Sequence, residues 1–566
     1  MPQDQALIRQ LYIRLDGTLL EQRMMDELYR VEVESDLRLP AMCLLRLHDP
    51  EAKLTNEGPF SLGAELRVAV ADEQGHGEQL LFCGEITGLE PEFGEGMLAE
   101  LTVRAYDRSH RLQRGTHTKA YLKMSDSDIA QEIARAVGLR AEVDPSSPVH
   151  EHVYQDGQTH LDFLRSRAQR LGYEVYVRER TLYFKRAGQA LPERVALEWG
   201  QQLRAFRPIL TLSEQVGEVE VRGWDPAVKR EVVGRASRTE AAPRLEGGEK
   251  GAEVAQNAFG PAKKLAVRSA VSSQAEADAL AQALLDRHGG AFVEAEGLCY
   301  GTPQLQAGCI AEISALGRRF NGRYLVTTAT HIWNTGADYL TRFTVRGRRG
   351  ETWRELLLPE EPPPRWLAMT GIVTNNNDPS DLGRVKVKFP WLDGEIESAW
   401  ARVVGLGAGD GRGLYALPEV NDEVLVIFEQ GDIGRPLVIG GLWNGSDAPP
   451  AAIKKVVTNG KVQQRLWVTR AGHRLEFTDE NSATIRLESA GGHAVLLDDD
   501  AGKIEITTAG GMTVVLDDQG KTLRVKGTGQ IQIEAGQNMT LKAQGNMDLE
   551  ANGVVTIKGS LVQLNP

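Results

Sequence analysis

The run Gly405-Leu406-Gly407-Ala408-Gly409-Asp410-Gly411-Arg412-Gly413 is where residue type most invites chemistry, because closely spaced glycines leave backbone N–H groups open to a phosphate. A phosphate loop also needs a Gly-Lys-Ser/Thr step, or Gly-x-Gly-x-x-Gly spacing that opens a helix, and neither is present. The run reads instead as a flexible loop. Trp391, Trp400 and Phe428 could stack nucleic-acid bases. However, the chain carries 65 Lys and Arg against 78 Asp and Glu, a formal charge of −13, which opposes binding to a polyanion. These rings read better as core and interface aromatics, with Arg384, Lys386 and Lys388 on the solvent face of a strand. His110, His117, His150 and His152 join no Cys or Ser in a nucleophile–base arrangement. Cys43, Cys83, Cys299 and Cys309 lack CxxC spacing and lie in apolar, strand-like surroundings, so buried thiols are expected. The acidic runs Asp498-Asp499-Asp500 and Asp517-Asp518 fit neither an EF-hand nor a Gly-Gly-x-Gly-x-Asp nonapeptide and read as solvated turns. A carboxylate pair for glycoside cleavage would lack aromatic rings for sugar stacking, since no Phe, Tyr or Trp follows Phe477. No catalytic, cofactor-binding or metal-ligating residue is assigned.

The elements are more telling than any single group. Near the C-terminus the apolar pairs Leu523/Val525, Ile531/Ile533, Met539/Leu541, Met547/Leu549 and Val555/Ile557 recur at a constant spacing of eight residues. Within each octad the two apolar residues lie one position apart, as the period of a strand requires, and polar residues such as Gln532, Thr540 and Asp548 take the other face. Glycines at 520, 527, 536, 545 and 553 punctuate the gaps. No proline lies between Pro450 and Pro566, so a strand ladder could run uninterrupted. Upstream, Ile504/Ile506 and Met512/Val514 are also eight apart, before one extra residue shifts the phase.

Such a rod has to close. One octad spans roughly 26 Å at most at about 3.3 Å per residue, and two inward side chains on one face cannot enclose a core. A triangular coil needs three faces. Taken from one chain, these octads make a stub of barely two coils with open ends; taken one from each of three chains, they stack along an axis with few open edges. A homotrimeric, intertwined triple-stranded β-helix is expected, with Leu523, Val525, Ile531, Ile533, Met539, Leu541, Met547, Leu549, Val555 and Ile557 as its core; an ordinary β-meander with regular Gly-rich turns is the alternative.

The rest of the 566 residues suffices for further domains of ordinary globular composition. Strands are expected at Leu44 to Leu47, Glu65 to Ala71, Gln79 to Leu89 and Leu98 to Tyr106. Helices are expected after Ser125, Thr159 and Ser273, the last with Glu276 completing a capping box and Gly289-Gly290 closing it. Gly234 to Lys264 is polar and reads as a long surface loop, and the prolines near 362–364 as a stiff linker. Ala368 to Asn444 offers about five strands in some eighty residues, the size of a Greek-key barrel of the OB type. The sequence shows neither a signal peptide nor an apolar stretch of spanning length.

The segments Gly371-Ile372-Val373-Thr374-Asn375-Asn376, Leu382-Gly383-Arg384-Val385-Lys386-Val387-Lys388-Phe389-Pro390-Trp391, Ala399-Trp400-Ala401-Arg402, Leu417-Pro418-Glu419-Val420 and Gly441-Leu442-Trp443-Asn444-Gly445 resemble the baseplate OB domain of phage tail spikes and VgrG proteins. Val103-Arg104-Ala105-Tyr106-Asp107-Arg108, Ser127-Asp128-Ile129, Asp162-Phe163-Leu164 and Leu171-Gly172-Tyr173 resemble the phage late control D hub family. Ile557-Lys558-Gly559-Ser560 resembles the end of VgrG spikes. The resemblance implies a mainly β protein with an α+β hub at 1–358, a linker at 359–367, an OB barrel at 368–446, a connecting β-region at 447–502 and an octad spike at 503–566. It implies a non-enzymatic central spike and hub of a contractile injection system, assembled in the bacterial cytoplasm and then carried by an injection particle.

The partners it implies are a hexameric inner-tube protein, baseplate proteins, the target membrane on firing, possible effector cargo, and a PAAR-type tip protein docking near Leu561, Val562, Gln563, Leu564, Asn565 and Pro566. Only about twenty residues, Ser446 to Arg465, separate the barrel from the strands expected to lead into the rod, so an inserted muramidase is not expected. No histidine follows His493, so no apical His-x-His iron site is expected either. A surface-binding or polysaccharide-degrading fibre and a nucleic-acid-binding OB protein are the alternatives.

Overall fold

Leu11–Leu15 buries every second residue, the alternation expected of a strand with one face on a core. It belongs to an eleven-stranded antiparallel sheet that also takes in Leu28–Asp36, Met42–His48, Glu65–Ala71, Glu78–Phe93 and Ala99–Tyr106. Late strands complete the same sheet: Leu203–Leu210, Val293–Tyr300, Thr328–Asn334 and Leu340–Val345. The two sets meet where Leu28–Asp36 pairs with Thr328–Asn334, His331 opposite Val33. This is a computed structural model, and it describes residues 10–71, 77–95, 99–187, 194–225, 230–240, 244–266, 271, 273–347, 368–389, 397–480 and 483–564. The expected linker at 359–367, Trp391 and the terminal Asn565-Pro566 lie outside them.

Between the two sets lies an α+β insert with its own core of Tyr121, Ile129, Ile133, Leu164, Leu182 and Phe184. Its helices Asp126–Ala136 and His160–Leu171 start as the sequence expects. Ser125 accepts from the Asp128 N–H and Asp128 accepts back from the Ser125 N–H, a full capping box. Thr159 caps the second helix, and Gly172 ends it at φ 72°, where a Cβ would be strained. The third helix, Gln274–Gly290, differs from expectation. Ser273 accepts from the Glu276 N–H, yet the Glu276 carboxylate faces away, 3.5 Å from His150 Nδ1, and Gly289-Gly290 lie within the helix.

The expected loop from Gly234 to Lys264 also differs. It contains the helix Gly251–Phe259 and the strand Lys263–Ala266, which pairs in parallel with Glu218–Asp225. An Ala- and Glu-rich composition suits a solvated loop, but Ala and Glu are also among the strongest helix formers.

Ala368–Asn375, Arg384–Lys388, Ala401–Val403, Glu423–Phe428 and Pro436–Gly441 form a closed five-stranded barrel. Its core is Val373, Val385, Val387, Phe389, Val424, Val426, Phe428 and Val438, with the Phe389 and Phe428 rings 5.8 Å apart. The chain divides into two compact units, Met1–Leu442 and Trp443–Pro566, so the barrel shares a unit with the hub. Polar contacts join them: His152 Nε2 lies 3.0 Å from the Glu397 carbonyl, and Arg435 3.9 Å from Glu276.

Candidate assembly interface

In the second unit, seven strands of five residues run as an antiparallel meander: Gln464–Val468, Arg474–Thr478, Thr484–Glu488, Ala494–Asp498, Lys503–Thr507, Thr513–Asp517 and Thr522–Lys526. Their register puts the second and fourth residue of every strand on one face. Trp467, Leu475, Leu487, Val495, Ile506, Val514 and Val525 make one cross-strand column there. Phe477, Ile485, Leu497, Ile504, Leu516 and Leu523 make the second. Each column is a ladder of directly opposed apolar side chains, the contact that stabilises a sheet. The central row of the other face is mixed, Glu476, Arg486, Glu505 and Arg524 with Leu466, Leu496 and Val515 between them.

The apolar face is open. Leu487 remains 58% exposed and Leu523 68% in the single chain, and Trp467, Phe477, Ile485, Ile504, Ile506 and Leu516 are exposed as well. A sheet that concentrates its apolar residues on an uncovered face has the composition of a core without its second layer.

The turns repeat as regularly as the strands. In Thr469–His473, Ser489–His493 and Thr508–Met512 the first hydroxyl accepts from the N–H four residues on. Each fourth residue is a glycine, at φ 92°, 84° and 83°, the left-handed region that a side chain would strain. Successive turns are stitched together, since the Ala490 N–H donates to His473 Nδ1 and the Ala509 N–H to His493 Nδ1. At the opposite ends the acidic runs cap turns. Asp498 accepts from the Ala501 N–H at 2.8 Å and Asp517 from the Gly520 N–H at 2.7 Å, and this last bond holds the Asp517 carboxyl below its ordinary range. A Ser/Thr-x-x-Gly-x signature recurring about every twenty residues was the signal to find, and octad counting passes over it.

Two phase assignments change accordingly. The facing pair on Thr513–Asp517 is Val514/Leu516, whereas Met512 lies in the turn; the pair moves by two residues and so stays on the same face. Leu523 and Val525 belong to the in-chain meander, paired with Leu516 and Val514. The other eight expected core residues behave differently. From Gly527 to Leu564 no strand is assigned, and among the described residues this stretch makes no backbone hydrogen bond. Its side chains nevertheless keep strict order: Ile531 and Ile533 are 54% and 73% exposed, Met539 and Leu541 47% and 71%, Met547 and Leu549 50% and 71%. An extended, periodic, apolar segment with unpaired N–H and C=O groups demands a partner from outside itself. Leu561, Val562 and Leu564 are exposed beyond it.

The remaining candidates are structural. The Gly405–Gly413 run is a loop with one isolated bridge between Gly409 and Arg412. Arg384 is more than a solvent-face residue: its guanidinium is bidentate on Asp378 at 2.8 Å, and Asp378 also accepts from the Ser380 and Leu382 N–H groups, tying the loop onto the barrel. That contact, first of all, pulls the Asp378 carboxyl well below the usual carboxylate range. Lys386 pairs with Glu397, and Trp400 is half-buried with both cations against its ring. His110 contacts the Asp107 carbonyl and Glu85, and His117 stacks on His160 at 3.8 Å. His150 sits between Asp126 and Glu276. The four cysteines are free and buried. Among the described residues no His/Cys/Asp/Glu group has the makings of a metal site, and no helix is long and apolar enough to cross a membrane.

With this geometry in place, residues 6–334, more than half of the chain, match the family model of the Alg8 N-terminal domain. The chain belongs to that family. Residues 369–443, the barrel, match the type VI secretion system/phage-baseplate injector OB domain. This Alg8-family chain is 32% identical over 104 residues to the type VI secretion system spike protein VgrG3 of Vibrio cholerae, covering 18% of this chain and 10% of that one. It is 32% identical over 107 residues to spike protein VgrG2a of Pseudomonas aeruginosa, covering 18% and 13%. The chain thus spans about a tenth of the length of the curated relatives it matches. Among solved structures, the Escherichia coli c3393 protein, a component of the type VI secretion system, aligns with TM-score 0.49 and 15% identity over 76% of this chain and 99% of that one. The 43 kDa tail protein of prophage MuSo2 from Shewanella oneidensis aligns with TM-score 0.46 and 14% identity over 60% and 98%.

Proposed function

We propose that this chain is the structural central spike and hub of a contractile injection system and works as a homotrimer. One observation carries the reading: two apolar columns lie open across seven strands and continue into octads whose backbone has no hydrogen-bond partner among the described residues. Two further copies would supply the missing layers and ladders at once. The resulting needle would have Leu523, Val525, Ile531, Ile533, Met539, Leu541, Met547, Leu549, Val555 and Ile557 inside.

In this reading residues 1–358 form the adaptor to a hexameric inner tube, 368–446 the baseplate barrel, and 447–502 and 503–566 the shaft. The segment Leu561 to Pro566 receives a PAAR-type tip protein, effectors ride as separate cargo, and the chain itself catalyses nothing. The match of the barrel to an injector OB domain and the spike proteins similar to the chain support the reading. Sedimentation equilibrium tests it. The expected mass is about three times the 62.1 kDa of one chain, and a single-chain mass with the tail folded overturns the proposal.

A further inference from the structure

Arginines crowd one cavity of the first unit, of about 440 Å3, where the large sheet meets the α+β insert. Arg67 comes from the strand Glu65–Ala71, Arg140 opens the strand Arg140–Val143, and Arg178 and Arg180 flank Glu179 in the tight turn between Tyr173–Arg178 and Thr181–Arg186. Four guanidinium groups line this space with the Glu179 carboxylate, and Glu65 compensates one of them, pairing with Arg180. Such a density of like charge raises the free energy of the empty site, and a structure that needed only packing there would place apolar or paired groups.

Two of the four are held in position. Arg178 donates to Gln306 Oε1 at 2.6 Å, and Gln306 is itself buried, donating to the Leu80 and Pro303 carbonyls. Arg180 donates to Glu65 at 2.8 Å. The other two keep their charge available. Among the described residues the Arg140 guanidinium has no hydrogen-bond or ion-pair partner, while its backbone N–H donates to the Arg180 carbonyl, and the Arg67 guanidinium has only the Cys83 sulfur at 3.9 Å. Glu179, which turns the chain between the two arginines, sits at φ 54°, a conformation that a residue with a side chain adopts at a cost and that recurs where a turn must present its neighbours. On one wall Tyr183 stacks on Tyr176 with 4.9 Å between ring centroids, a rigid aromatic surface beside the charges.

We propose that this cavity binds a compact, phosphate-rich anion, an oligophosphate chain, and so clamps the α+β insert to the large sheet. The guanidinium fork matches phosphate oxygens two at a time, and groups fixed by Gln306 and Glu65 lose little freedom on binding. The small concave volume suits an oligophosphate better than an extended acidic peptide. The inference does not depend on the trimer.

Isothermal titration of the full-length protein with tripolyphosphate tests it. Binding near one per chain is expected, weakening as salt rises, together with an upward shift in melting temperature. The double variant Arg67→Gln/Arg140→Gln should bind about tenfold or more weakly while keeping the wild-type circular dichroism spectrum. Arg140→Gln alone, at an exposed position, should show a smaller loss in the same direction and guards against a folding defect in the pair. ATP in place of tripolyphosphate separates two sources of the same chemistry. Equal affinity marks a free phosphate chain, and tighter binding marks a nucleotide whose base lies on Tyr183. No heat with tripolyphosphate, an unchanged affinity in the double variant, or saturation by hexaglutamate without any by tripolyphosphate would overturn the proposal.

Discussion

His331 shows what a single buried group contributes and when that contribution disappears. Its ring is fully buried in the large sheet, with Nδ1 2.9 Å from the Tyr339 hydroxyl and 3.1 Å from the Thr341 hydroxyl. Burial pushes its pKa down to about 4. The unfolded chain binds the proton near pH 6.5, so the stability held in the neutral ring is complete above that pH and is lost as pH falls towards 4. Urea unfolding at pH 7 and pH 4.5 should reveal a loss on the order of 3 kcal/mol from this residue, and His331→Asn should reduce that slope. His160, pushed to about 4 chiefly by burial, adds to the same window. At this scale the helix caps were legible, because Ser125 and Thr159 act through neighbours three residues away in sequence. Arg384 and Glu276 were not. Their partners are chosen by loop closure and by docking of the barrel, which no local spacing encodes.

At the scale of elements, the face a residue occupies decides the effect of changing it. Leu487→Asp places a carboxylate on the apolar face and Leu541→Asp does so in the octads. In a trimer each buries three carboxylates at one level, costing several kcal/mol apiece. Both variants should fail to assemble, or melt far below the parent, in a thermal scan followed by light scattering. Arg524→Gln, on the opposite face of the same sheet, should change stability by less than about 0.5 kcal/mol. Equal effects from Leu487→Asp and Arg524→Gln would discard the face assignment. The alternation of two made the strands legible, and the octads drew the eye to the right end of the chain. The phase upstream was harder, because Leu475, Ile485 and Val495 recur at ten residues instead of eight and the hairpin turns absorb the difference. The helix Gly251–Phe259 was missed for another reason: its composition suits both a solvated loop and a helix, and packing against the protein decides.

For the whole molecule the repeat sets what can change. Removing residues 536–543 takes out one octad and keeps every apolar pair in phase, whereas removing 536–542 turns all later pairs to the opposite face. The first variant should keep its trimer mass in sedimentation and a near-parent melting temperature. The second should lose one or both, and survival of both alike would remove the basis for a common needle core. The outline of such an assembly could be read from the chain, since periodicity is a one-dimensional property. The eleven-stranded sheet could not, because it joins strands from both ends of the first unit. That join has a consequence for biosynthesis. Leu28–Asp36 waits for Thr328–Asn334, roughly 290 residues later, before its open edge is paired. At a translation rate of about 5–20 residues per second the ribosome leaves that edge bare for roughly 15–60 s, long enough for a chaperone to be its first companion.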